Sequence, residues 1–161
     1  MREQATGTLA RLCGQRWFLV RNKERSAFMT TAYICIGLLA LPVFLLGFSI
    51  SMLRGKDGPH TMIGTPTDPT DRLHKLIRAH RNTAEYAPML ALLIYVAAMQ
   101  GPATWVLWMM WIATAGRYFI AMGLVVGPSM ETPHILRMIG AVATYLSGVA
   151  LVVAVFMGAS G

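Results

Sequence analysis

Long apolar runs constrain this chain more than any other feature. Windows near the roughly 20 residues needed to cross a bilayer run from about Thr31 to Leu53, from Ala103 to Val126 and from Ile135 to Met157. A fourth combines the apolar stretch Ala87–Met99 with a polar segment before it, giving a span of about 74–99. Inside lipid every backbone polar group must be satisfied within the protein, so runs of this length are read as helices. The expected fold class is all-α: an integral membrane four-helix bundle that occupies residues 29–161 and leaves no length for a soluble catalytic domain.

Composition agrees. Charged residues make up 13% of the 161-residue chain, against roughly 25% in soluble domains, and the mean hydropathy is +0.53. The net charge of +7 raises a nucleic-acid reading, which the distribution excludes. The basic residues precede the first span, fill the first loop and mark helix ends, a pattern of membrane topology and anionic lipid. Cys13 and Cys35 form no disulfide framework.

Residues 1–28 form a basic extension carrying Arg2, Arg11, Arg16, Arg21, Lys23 and Arg25. They lack the apolar core and cleavage site of a signal peptide. Two readings stand: a tail at the cytoplasmic leaflet, or untranslated sequence before a start at Met29. Without the extension, Lys and Arg fall in loop one with its flanks and after the third helix. The positive-inside rule then puts loops one and three in the cytoplasm and both termini outside; the extension pulls the other way.

Local signals give the boundaries. Pro42 interrupts the first span and should kink it. Gly55 to Asp71 reads as a loop, with Asp68 as N-cap and Pro69 as the first residue of helix two. Pro88 bends that helix and Gly101-Pro102 ends it. Trp105, Trp108 and Trp111 anchor helix three at an interface, and Gly127-Pro128 stops it. Thr132 and Pro133 read as the cap and first position of helix four, which carries the small residues Gly140, Ala141, Ala143, Ser147 and Gly148, suited to close helix contact.

Helix two opens with polar groups that a membrane tolerates only when protein or ligand satisfies them. Arg78, Asn82, Glu85 and Tyr86 lie at i, i+4, i+7 and i+8 and so share one face. That face offers a cation, an amide, an anion and a phenol. Arg117 stands inside helix three, where a centred arginine costs about 2.5–3.5 kcal/mol on insertion scales. Antiparallel packing of helices two and three brings it to the same side of the membrane, facing inward to meet an anion. The arginines Arg78, Arg81 and Arg117 outnumber Glu85, and the surplus calls for an acidic ligand. His60, His74, His80 and His134 have no metal-ligand spacing.

With Arg78-Ala79-His80-Arg81-Asn82-Thr83-Ala84-Glu85-Tyr86-Ala87-Pro88 and Gly116-Arg117-Tyr118-Phe119 quoted, the chain resembles the MAPEG family, the membrane-associated proteins in eicosanoid and glutathione metabolism. The resemblance covers roughly residues 29–157 and is strongest in helix two. It implies a homotrimer that holds glutathione at subunit interfaces, with Arg78, Asn82, Glu85, Tyr86, Arg117 and Tyr118 as glutathione-binding residues. The chemistry agrees: arginines take carboxylates in bidentate fashion, Glu85 suits the ammonium, and a cation near sulfur favours the nucleophilic thiolate. The chain departs from the leukotriene-synthase branch, with Met122 and Ser129 where that branch has a tyrosine and an arginine. Ser129 is therefore the expected hydroxyl at the sulfur beside Arg117, the two forming the catalytic pair, and Arg137 could substitute only if the loop folds back.

The expectation is a bacterial-type member in the cell inner membrane: a multi-pass, glutathione-dependent transferase in which glutathione or a related thiol conjugates apolar electrophiles or reduces peroxides. The alternative is a non-catalytic oligomeric scaffold or lipid-binding protein of the same fold, in which the arginines and Glu85 close into an ion-pair network.

Overall fold

Among the described residues, four helices account for the fold. The computed structural model describes residues 2–56, 64–101 and 103–160, with residues 2–24 and 56 described by backbone alone. Helix α1 is Arg2–Lys56, α2 is Arg72–Met99, α3 is Thr104–Val126 and α4 is Ile135–Ala159. Residues 57–63 of the expected first loop, His60 among them, and Pro102 lie outside the described residues, as does the Cys13 side chain.

The helices run up, down, up and down. Arg25 of α1 meets the end of α2 at Met99, while Gly47 faces His80 near its start. Arg117 of α3 meets Asn82, and Gly123 of α3 faces Arg137 at the start of α4. The beginnings of α2 and α4 and the end of α3 therefore share one end of the bundle. Helices α1, α3 and α4 are long and apolar enough to cross a membrane. Helix α2 is not counted with them, because polar groups occupy its first half. It is nevertheless packed among them over 28 residues, about 42 Å of helix.

Two caps differ from expectation. Asp68 does not cap α2: its carboxylate accepts from Thr70 N at 2.8 Å and Thr70 Oγ1 at 2.7 Å and so builds a turn. Asp71 caps instead, accepting from His74 N at 2.9 Å. Likewise Thr132 donates to Ser129 O at 3.1 Å, which commits it to the preceding turn, and His134 caps α4 through Leu136 N. At the far end of α2, Gly101 has φ 64°, the left-handed conformation glycine adopts freely after a helix. Helix α1 runs through Pro42 without a break in its assignment.

A polar layer divides the core. The larger apolar cluster joins Ala32, Cys35 and Leu39 to Leu90, Ile94, Met110 and Leu151. A smaller one, of Ala79, Ile120 and Leu124, lies toward the loops. Asn82, Thr114 and Arg117 fall between them. Outside, Phe44, Phe48, Val149 and Phe156 are among the large exposed apolar side chains, a surface whose solvent is lipid.

Helices α3 and α4 make the closest approach. A Cβ on Gly140 would stand 2.6 Å from Gly116 O and 2.8 Å from Ile120 N. A Cβ on Gly116 would stand 2.9 Å from Thr144 Oγ1. Glycine at these two positions lets backbone meet backbone. The loop between α3 and α4 is tied to the start of α2. Lys75 Nζ donates to Gly127 O at 3.2 Å, and Met130 N donates to Pro69 O at 3.1 Å.

Candidate functional site

Helices α2, α3 and α4 and the 127–134 loop enclose a cavity of about 510 Å³. Helix α2 contributes Arg78, Arg81, Asn82, Glu85 and Tyr86. Helix α3 forms the floor with Arg117, Ile120 and Leu124. Helix α4 supplies Arg137, Met138, Ala141, Thr144 and Tyr145, and the loop covers one end with Met130, Pro133 and His134.

Arg117 is 1% exposed and faces the bundle interior. Its Nη2 donates to Asn82 O at 2.8 Å and to Asn82 Oδ1 at 2.6 Å. The guanidinium carbon stands 4.9 Å from the centre of the Tyr86 ring, at cation–π distance. Its Nε has no partner among the described residues. The Tyr86 and Tyr145 hydroxyls lie 3.3 Å apart, with the rings edge to face at 6.0 Å. Arg137 Nη1 donates to Met130 O at 3.2 Å, pinning the loop over the cavity.

The charge pattern separates two designs. A closed ionic network needs Glu85 within ion-pair reach of an arginine. Among the described residues, no carboxylate lies within 4.0 Å of a guanidinium nitrogen of Arg78, Arg81, Arg117 or Arg137. Glu85, Arg78 and Arg81 are exposed at the cavity wall. Four cations and one anion therefore face the same space without cancelling.

Five expected site residues come together: Arg78, Asn82, Glu85, Tyr86 and Arg117 all line the cavity. Two do not join them. The Tyr118 hydroxyl donates to Leu38 O at 2.8 Å, so the side chain is turned toward α1. Ser129 sits in the loop, where its Oγ accepts from Glu131 N at 3.3 Å, and is not among the lining residues. Its hydroxyl serves the turn. Arg137 reaches the cavity instead, because the loop folds back over the start of α2.

The α4 wall was not anticipated, although its signal is present. Arg137, Ala141, Thr144 and Tyr145 repeat the i, i+4, i+7, i+8 spacing of Arg78, Asn82, Glu85 and Tyr86. Both patterns place an arginine within the first two turns of the helix and a tyrosine about two turns deeper. The two tyrosines meet, so the two faces lie in register.

A buried arginine held by an asparagine on a neighbouring membrane helix, beneath a cavity lined by further arginines, defines a class: a polytopic membrane protein with a cationic internal cavity. The comparison with protein families names it. The MAPEG family matches residues 31–157, and the chain belongs to that family. No match is found among curated proteins. Family membership makes this a multi-pass membrane protein whose role lies within glutathione- or eicosanoid-related metabolism.

Proposed function

We propose that the chain is a glutathione-dependent membrane transferase, joining the thiol of glutathione or a related peptide to apolar electrophiles, or reducing peroxides with it. The observation that carries this reading is the cavity with four unpaired guanidiniums, a lone carboxylate and two phenols. Glutathione has two carboxylates, one ammonium and a thiol. Seven helical residues separate Arg78 from Glu85, about 10 Å at 1.5 Å each, and three extended residues span about 10–11 Å. A tripeptide with an acid at each end fits that interval. The arginines take the carboxylates bidentately, and Glu85 takes the ammonium.

The sulfur needs a nearby cation to favour thiolate. Arg137 replaces Ser129 in this role, since its guanidinium borders the cavity. In conjugation, the thiolate forms a bond to an electrophilic carbon and the displaced group leaves with the bonding pair. In peroxide reduction, one oxygen is attacked, the O–O bond breaks, and a second thiol completes the disulfide while alcohol and water are released. Ile120, Leu124, Met130 and Met138 supply apolar wall for the electrophile.

Membership of the family supports assembly as a homotrimer in the bilayer. A bacterial-type protein of the cell inner membrane fits the departures from the leukotriene-synthase branch. Residues 1–28 lie outside the family match, and N-terminal sequencing of the native protein distinguishes a translated tail from a start at Met29. The function is tested by titrating the detergent-purified oligomer with glutathione in a calorimeter and by assaying conjugation to an aryl halide. Binding and turnover are expected; no heat at millimolar glutathione from an intact oligomer would overturn the reading.

A further inference from the structure

The peroxide reaction leaves one proton without a source. When a thiolate attacks a hydroperoxide, the departing fragment is an alkoxide, a far stronger base than the halide lost in conjugation. It departs readily only if an acid protonates it as the O–O bond breaks. Arginine holds its proton throughout, which sets aside Arg78, Arg81, Arg117 and Arg137. Glu85 is committed to the ammonium of the guest, and the His134 imidazole accepts from Leu136 N at 3.3 Å as the cap of α4. The Thr144 hydroxyl is buried. Among the described lining residues, the acids that remain are the phenols of Tyr86 and Tyr145.

Their hydroxyls lie 3.3 Å apart. One donates to the other, so one O–H stays free for a guest. Arg117 decides which. Its guanidinium carbon stands 4.9 Å from the centre of the Tyr86 ring, and a cation so placed favours negative charge on that phenol's oxygen, making Tyr86 the better donor. Tyr86 therefore donates to Tyr145. The Tyr145 O–H, polarised by the bond its oxygen accepts, is left for the cavity. Exposure agrees: Tyr145 is 58% exposed, whereas Tyr86 is half-buried. Eight helical residues separate Arg137 from Tyr145, about 12 Å, and a helical side chain leans back toward the helix start. Sulfur beside the Arg137 guanidinium and a departing oxygen beside the Tyr145 hydroxyl fit that interval.

We propose that Tyr145 is the proton donor to the leaving oxygen in peroxide reduction and that Tyr86 recharges it. This rests on the glutathione reading and adds to it a catalytic residue on α4. The thiolate forms a bond to the terminal peroxide oxygen, and the O–O pair departs on the alkoxide. The Tyr145 proton passes to that alkoxide and gives the alcohol, while sulfur is oxidised to a sulfenic acid. The Tyr86 proton moves to Tyr145, leaving the negative charge on the phenol that packs on Arg117. A second thiol, on becoming thiolate, returns a proton to Tyr86 and attacks the sulfenic sulfur. The disulfide forms and hydroxide leaves, taking from solvent the proton that the first thiol released there.

The test compares two electrophiles on the detergent-purified oligomer at saturating glutathione: cumene hydroperoxide, and an aryl chloride whose chloride needs no proton. In Tyr145→Phe the ratio of the two kcat values, peroxide to chloride, should fall about a hundredfold, the scale of one general acid. Tyr86→Phe should lower the same ratio by less, since the donor itself remains. The Tyr145→Phe loss should largely vanish with perbenzoic acid, whose benzoate departs unprotonated. Should that variant not assemble, heavy water reads the same step in the parent protein: peroxide turnover should slow and aryl-chloride turnover should not. An unchanged ratio in either variant, an equal loss with perbenzoic acid, or equal heavy-water effects on the two reactions overturns the proposal. So does a parent protein that conjugates the aryl chloride but leaves the peroxide intact, and in each of these cases the glutathione reading stands. Absence of glutathione binding by the parent protein overturns both.

Discussion

Arg117 on α3 donates through a single nitrogen to both oxygens of Asn82 on α2, backbone and side chain. The pair ties two membrane helices at the layer that divides the core. Asn82→Ala takes the side-chain acceptor from a buried charge and leaves it the backbone carbonyl alone, whereas removing Arg117 removes the charge itself. A buried charge short of a partner is the costlier change. Asn82→Ala should therefore lower stability by about 1.5–3 kcal/mol, the range for a hydrogen bond to a charged group. Arg117→Met should cost less stability while abolishing thiol binding. Thermal unfolding in detergent, read beside glutathione titration, checks the order.

The α3–α4 crossing has no spare room. Gly140→Ala sets a methyl against Gly116 O and Ile120 N, and overpacking of this kind costs about 1–3 kcal/mol. Gly37 has nothing within 4 Å of its Cβ position, so Gly37→Ala should be neutral or slightly stabilising. Comparing the two melting temperatures separates crowding from a general response to alanine in a membrane helix.

Tyr118 and Tyr145 should behave oppositely. Tyr118→Phe deletes the hydrogen bond to Leu38 O, worth about 0.5–1.5 kcal/mol, and should leave glutathione affinity unchanged. Tyr145→Phe alters the cavity wall and frees the Tyr86 hydroxyl, so affinity should change while stability holds. A paired measurement of Kd and melting temperature reads both.

Ser129→Ala should leave conjugation rates within experimental scatter of the parent. Arg137→Met should lower kcat/KM by about a hundredfold, the scale of losing one positioned charge-stabilising donor. Arg137→Lys should recover only part of this, because an ammonium lacks the guanidinium fork. Steady-state kinetics on the three variants decides whether α4 supplies the cation at the sulfur.

Outside the bilayer, the Thr70 side chain, and then its backbone N–H, hold the Asp68 carboxyl below its usual pKa. A depressed folded value means the turn gains stability above the unfolded carboxylate value of about 3.9 and loses it as pH falls through the folded value. Protection of the Thr70 amide, its exchange rate relative to the unfolded rate at the same pH, should fall on acidification through the folded value, and Thr70→Val should move the onset to higher pH.

Apolar length made the four helices legible, and the shared face of Arg78, Asn82, Glu85 and Tyr86 made half of the cavity legible. The second half went unread although Arg137, Thr144 and Tyr145 repeat the same spacing. Three of the four polar residues on α2 carry charge or an amide, which announces itself in an apolar sequence. On α4, threonine and tyrosine are ordinary membrane-helix residues, and only the register between parallel helices gives them meaning. The caps failed for a related reason. Asp68 and Asp71 are chemically equal candidates, and Thr70 decided between them by occupying the first. Tyr118 does not join the cavity lining because adjacent positions on α3 look in different directions, one toward α2 and the next toward α1.

The Gly116–Gly140 junction also limits how the chamber can open. With two of its three helical walls locked main chain to main chain, a bulky visitor cannot wedge them apart. Any dilation falls to the outer half of α2 and to the segment anchored by Lys75, so the same lysine that closes the lid sets how wide the door can swing.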